Sequence, residues 1–192
     1  MILKNIRVKS IRVTETNDNG KYQLIFAIDD KKERKAFVKL CDKEWEESDF
    51  SDKKADYMPY FISEASEEYP ADEDTGKELF ICSQNATNHD ETKSFSVGVY
   101  DATGRKLTKE EIPSIGAGTI LNLNTSFYAW SFGKGKKAYG LKANFNSIQI
   151  VDLKEYTGGD AGFEATEGYK AQESNFSDEA EPKKKKKKKG KK

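Results

Sequence analysis

The sequence predicts a mainly β fold: a small barrel or sandwich of short strands, with one inserted helical segment and a C-terminal tail that enters no core. Three observations predict it. Apolar residues recur at period two through much of residues 1–152, Gly- and Asn-rich turns separate those runs, and the composition changes sharply near residue 155. At 192 residues, the chain is long enough for one folded body. Its 35% hydrophobic and 34% charged residues average more polar than a packed domain, which fits a body carrying polar segments that do not pack.

Residues 1–14 (MILKNIRVKSIRVT) place Ile6 and Val8 on one face, then Ile11 and Val13 on the other. Such a phase switch near Lys9 and Ser10 is what a β-bulge or a sharp strand bend produces. The turn Asn17-Asp18-Asn19-Gly20 follows, then Tyr22, Leu24, Phe26 and Ile28 at period two. Residues 35–40 read as a third short strand. The acidic stretch 42–69 has few β-branched residues and reads as a helix or two, interrupted at Pro59. Residues 79–82 and 94–100 read as strands, and 101–104 as a turn. Two long strands, about 119–132 and 138–152, are joined by Gly133-Lys134-Gly135-Lys136-Lys137.

From residue 156 onward the chain shows neither helical nor strand period and reads as a disordered tail beyond a body of residues 1–155. The net charge of zero hides a strong segregation. Residues 155–182 hold one lysine against eight acids, and 183–192 hold nine lysines and no acid. Within the body, residues 41–78 carry four basic and fourteen acidic residues, leaving the rest of it basic. Segregation of this kind concerns partners more than folding. No apolar run approaches the ~18 residues that a membrane span needs, and the N-terminus lacks a signal-peptide core. Cys41 and Cys82 are too few for a disulfide framework or a cysteine-rich zinc module. A cytoplasmic, non-membrane protein is expected.

The last hairpin carries the sharpest signal. Leu121, Leu123, Phe127 and Ala129 share one face of its first strand. Asn122, Asn124, Ser126, Tyr128, Trp130 and Phe132 share the other. On its second strand Leu141, Ala143 and Phe145 fall on the core side, opposite Lys142, Asn144 and Asn146. Lys134, Lys136 and Lys137 sit at the tip. Alternate aromatics beside lysines and amides suit single-stranded nucleic acid, whose bases stack and whose phosphates seek cations. The competing reading is that Trp130 and Phe132 fill a second core layer.

No catalytic or cofactor-binding constellation is apparent. GKGKK lacks the P-loop spacing. His89 stands alone in a polar stretch with no nucleophile nominated beside it. Asp72, Asp74 and Gly76 resemble part of a calcium loop but lack its ligand spacing and closing Glu. The expectation is a protein that is no enzyme and carries no metal or cofactor.

The run FYAWSFGKGKKAYGLKANFNSIQIVDL, with its Gly/Lys hairpin and then Gly140, Leu141, Asn144, Asn146, Ile148 and Gln149, resembles the end of bacteriophage single-stranded DNA-binding proteins. The resemblance lies in sequence over about 119–153 and in layout over about 1–155. It implies a single OB-type five-stranded barrel with an inserted helical segment and a disordered acidic C-terminal tail. It also implies a protein that coats single-stranded DNA without sequence specificity during replication or recombination. Tyr128, Trp130, Phe132, Lys134, Lys136, Lys137, Lys142 and Asn144 would then bind DNA, and the tail would meet replication proteins such as a polymerase or helicase. The closing lysine run, 183–192, departs from that family, which ends acidic. A structural or virion β-domain that binds protein instead of nucleic acid is the alternative.

Overall fold

The computed structural model describes residues 1–66, 72–133 and 138–156. All of them belong to one compact unit. The elements are β1 (Ile2–Arg12), β2 (Lys21–Ala27), α1 (Lys31–Glu46), β3 (Tyr60–Ile62), β4 (Glu78–Asn85), β5 (Gly98–Tyr100), β6 (Ile120–Phe132) and β7 (Ala138–Asp152).

Five strands close a barrel. β1 pairs antiparallel with β2 and β6, β2 with β4, and β6 with β7; a short parallel contact of β4 with β7 closes the ring. This is the OB-type connectivity that the resemblance implies. The closing contact spans only Cys82–Ala143 and Ser83–Asn144. Where the two strands diverge, residues 57–62 enter the gap. Tyr57 bridges Gly140 on β7, and β3 pairs with β4 through Tyr60 and Phe80. β5 adds to the outer edge of β7.

Period two sets the inward faces. Ile6, Val8, Leu24, Phe26, Phe80, Leu121, Leu123 and Phe145 are all buried. The β1–β2 register shifts between Val8 and Ser10, so of the two causes offered for the phase switch the structure shows the bulge. A second shift, opposite Asn124 and Thr125, takes up Asn146, so Phe145 and Ile148 both point inward. In the first turn the Asn17 side chain accepts hydrogen bonds from the Asn19 and Lys21 amides, and Gly20 takes a φ of 67°.

The helical insert corrects two expectations. Residues 35–40 are not a strand but the middle of α1, and no α-helix follows Glu46 among the described residues of 42–69. The helix starts at Asp30, whose carboxylate accepts from the Glu33 amide at 2.8 Å. It packs Phe37, Cys41 and Trp45 (spaced i, i+4, i+8) against the barrel. Phe37 stacks its edge on Phe80 with ring centroids 5.1 Å apart, and meets Phe127 at 5.8 Å. That spacing straddles the two segments that the local pattern suggested. The strand expected over 94–100 is shorter, Gly98–Tyr100. The turn at 101–104 forms as expected, with Gly104 at a φ of 88°.

Cys41 and Cys82 are free thiols buried in the core. Burial pushes the Cys41 thiol up to about 12, helped by Asp42, and burial raises Cys82 as well. Both behave as small apolar side chains.

Candidate nucleic-acid interface

The β6–β7 hairpin divides its side chains between two faces as the alternation predicts. Leu121, Leu123, Leu141, Ala143 and Phe145 are buried, and Phe127 and Ala129 pack against the core. On the outer face Tyr128 is 61% exposed and Phe132 is 77% exposed. They are not a second core layer. Trp130 is half-buried between them.

Trp130 owes its position to two neighbours that the sequence pattern does not announce. Across the hairpin it faces Gly140, where a Cβ would come within 2.7 Å of the indole ring and 3.0 Å of the Tyr57 carbonyl oxygen. Only glycine allows the indole to lie this close over the strand. Tyr57 then stacks on the indole, with ring centroids 5.7 Å apart and planes 28° apart. Tyr57 is held by the backbone: the Leu141 amide donates to the Tyr57 carbonyl, the Asp56 amide donates to the Tyr139 carbonyl, and the Tyr139 amide donates back to the Asp56 carboxylate. The result is a shelf of Tyr57, Trp130, Tyr128 and Phe132 on one face.

Beyond the shelf the same face turns polar. Lys142 lies opposite Tyr128, and Asn144 lies opposite Ser126. Through the closing contact Asn144 neighbours Ser83 on β4, which faces Gln23 on β2. A row of Gln23, Ser83, Asn144 and Ser126 therefore crosses the barrel. The Asn144 and Asn146 amides both donate to the Ser126 hydroxyl at 3.2 Å. Lys142 forms no ion pair among the described residues. Burial lowers its pKa, and the nearby Lys21 ammonium lowers it further. An ammonium that is partly desolvated, feels a second cation and has no ion-pair partner among the described residues favours an anion.

Of the eight residues nominated from sequence, the fold brings Tyr128, Trp130, Phe132, Lys142 and Asn144 onto one face. Lys134, Lys136 and Lys137 lie outside the described residues. Tyr57, Gly140 and Lys21 belong to the same face and were not nominated.

The acidic stretch is organised differently. Asp74 is fully buried on the outer side of β1, with Arg7 at 2.9 Å and Lys9 at 2.7 Å. Arg7 also binds Asp29 at 2.9 Å and Glu73 at 2.7 Å, and Lys9 reaches Asp72 at 3.2 Å. Burial alone would raise the Asp74 carboxyl, but its bonds to Arg7 and Lys9 win and hold it at about 2. The calcium-like residues Asp72 and Asp74 are thus bound to Arg7 and Lys9. Among the described residues no three His, Cys, Asp or Glu side chains are grouped to hold a metal ion. His89 is exposed beside Asp90. No helix among the described residues is long and apolar enough to cross a membrane.

No family model matches this chain, and no curated protein does. Solved structures do match. The chain is similar to gp2.5, a single-stranded DNA-binding protein encoded by bacteriophage T7, with a TM-score of 0.56 and 21% identity over 89% of this chain and 98% of that one. It is also similar to the single-stranded DNA-binding protein from bacteriophage Enc34, with a TM-score of 0.55 and 18% identity over 83% of this chain and 84% of that one. The Enc34 protein in complex with ssDNA matches with a TM-score of 0.54 and 18% identity, covering 82% and 88%. At these identities the shared property is the fold.

Proposed function

We propose that this chain is a non-enzymatic protein that binds single-stranded DNA and coats it without sequence preference, as phage replication or recombination requires, in the host cytoplasm. The observation that carries this reading is the outer face of β6 and β7. There a shelf of four aromatics leads to Lys142 and Lys21, which form no ion pair among the described residues, and to a row of amides and hydroxyls. Bases stack on aromatics regardless of sequence, and phosphates bind cations regardless of base, so such a face grips a strand without reading it. The same barrel in phage proteins named as single-stranded DNA-binding supports the reading.

Lys134, Lys136 and Lys137, which lie between β6 and β7 in the sequence, would add their ammonium groups to the grip on phosphate. Replacing all three with Ala should weaken binding to every sequence alike and flatten the log–log salt dependence by about 0.7 for each phosphate no longer neutralised. The acidic segment 156–182, with Phe163, Tyr169 and Phe176, would recruit replication proteins such as a polymerase or helicase.

The direct test is titration of the full chain with oligothymidylate while following tryptophan fluorescence at two salt concentrations. Trp45, on the inner face of α1, is buried and should contribute a constant background. Trp130 should be quenched, and binding should weaken with salt. Unquenched fluorescence with intact salt-dependent binding would move the DNA off this face.

A further inference from the structure

A second recess lies away from the aromatic shelf and shares none of its residues. It runs between α1 and the start of β1, with a volume of about 510 Å³. Its floor is apolar: Ile6, Ile28 and Phe37 are buried at its base, and Leu3, Ala36 and Leu40 line its walls. Met1 and Ile2, two large apolar side chains left exposed, form its lip. On the helix the lining positions Glu33, Ala36, Phe37 and Leu40 follow i, i+3, i+4 and i+7, so one stripe of α1 faces the recess while Phe37 also reaches the core.

The rim is basic. Residues 31–40 hold five cations and a single acid, Glu33. Lys32, Lys35 and Lys39 are exposed along the outer side of the lining stripe, and Lys4 is exposed on the β1 side. None of these four lysines forms an ion pair among the described residues. This contrasts with Lys43 further along the helix, which pairs with Glu47 at 3.5 Å.

We propose that this recess is a docking groove for an acidic, amphipathic segment of a partner protein. An apolar floor with unpaired cations on both rims is complementary to a segment that presents Leu or Phe on one face and carboxylates on the other. The floor argues against a nucleic acid, whose phosphates would use the lysines and leave Leu40, Ile2 and Met1 in water. The inference is independent of the strand-face reading and survives its failure.

The test uses the full chain and a fluorescein-labelled synthetic peptide of about fifteen residues, with Leu and Phe at i, i+3, i+4 and i+7 and Glu elsewhere. Fluorescence anisotropy should show saturable, salt-sensitive binding. The exposed triple variant Lys32→Glu, Lys35→Glu, Lys39→Glu should lose about tenfold in peptide affinity while keeping its melting temperature and its oligothymidylate affinity. Ala36→Glu, on the exposed helix surface, should also lose peptide binding by placing a carboxylate on the wall. Equal binding of a control peptide with Ser in place of Leu and Phe would overturn the proposal, because the floor would then play no part. Unchanged peptide affinity in the triple variant would also overturn it. A triple variant that lost affinity for oligothymidylate but not for peptide would make α1 a phosphate-binding element instead. Dimers in sedimentation that Ala36→Glu dissolves would place a second copy of the chain in the groove.

Discussion

Two outer faces of one barrel treat their cations in opposite ways. On β1, Arg7 and Lys9 meet a strap of acids, and the buried Asp74 accepts from both. On β7 and β2, the Lys142 ammonium feels the charge of Lys21, and neither lysine forms an ion pair among the described residues. The first face is neutralised from within the chain, so its charges hold a loop onto a strand. The second face is left positive beside exposed aromatics, so its charges await an anion. The segregated charge map resolves accordingly. Part of the acidic excess of 41–78 neutralises β1, and the basic remainder stays available on other surfaces. Net charge alone could not have told these two uses apart.

The largest difference between the two faces rests on Asp74. Asp74→Asn should destabilise the fold by about 3 kcal/mol, because it leaves Arg7 and Lys9 partly buried without their shared carboxylate. Urea unfolding would measure this, and oligothymidylate affinity of the folded protein should not change. Asp29→Asn, at the exposed end of the same network, should cost less than ~1 kcal/mol. The sign with pH follows from the lowered carboxyl. Asp74 has a folded pKa of about 2, against ~3.9 in an unfolded chain. Its contribution is therefore complete above about pH 4 and is lost as pH falls towards 2. Acid unfolding followed by circular dichroism should show a transition in that window, and Asp74→Asn should remove this contribution.

On the other face the next largest effects belong to the aromatics. Trp130→Ala should weaken oligothymidylate binding by ~1–3 kcal/mol and abolish most of the fluorescence quenching. Tyr57→Ala should weaken it less, because it uncovers one face of an indole that remains in place. Gly140→Ala should fall between them by displacing the indole rather than removing it. If Tyr57→Ala proved as damaging as Trp130→Ala, Tyr57 would be the primary stacking residue and the indole its support. These variants should alter acid unfolding little, since none touches Asp74.

The hairpin face was legible in the sequence because strand alternation alone decides which side a residue takes. Leu123 and Tyr128, five residues apart, fall on opposite sides with no tertiary information. The mainly β body was legible in the same way, with the irregularity at Lys9, but alternation left barrel and sandwich open and the resemblance pointed to the barrel. The helix was misread because Phe37, Val38 and Leu40 fit a short strand when viewed alone. The helical stripe appears only when Phe37, Cys41 and Trp45 are taken together, and the Asp30 cap with Glu33 three residues on was the available signal. Tyr57 was not legible. It is a lone aromatic in an acidic stretch, and what makes it part of the site is a pairing with residues 139–141, far along the chain. Asp74 drew notice only as part of an incomplete calcium-like loop, because only tertiary burial reveals its pairing with Arg7 and Lys9.

At Lys142 stability and DNA binding should respond with opposite signs, and the stability change should be small. Lys142→Met keeps the aliphatic stem that lies on the barrel and removes the ammonium. In the free protein that ammonium is disfavoured by burial and by Lys21, so it lowers stability rather than adding to it. The substitution should therefore stabilise the fold slightly, by less than ~1 kcal/mol. A lysine whose folded pKa lies below its unfolded value leaves the unfolded chain holding more protons in the alkaline range. The parent should accordingly gain stability as pH rises towards ~10.4, and the variant should lack that gain. DNA binding should move the other way, with weaker affinity and a salt slope flatter by about 0.7 if Lys142 neutralises one phosphate. On β1 the corresponding change, Lys9→Met, should lower stability and leave the slope unchanged. A Lys142→Met protein that was destabilised, with an unaltered salt slope, would show Lys142 to be another internally satisfied cation, and the contrast between the two faces would fail.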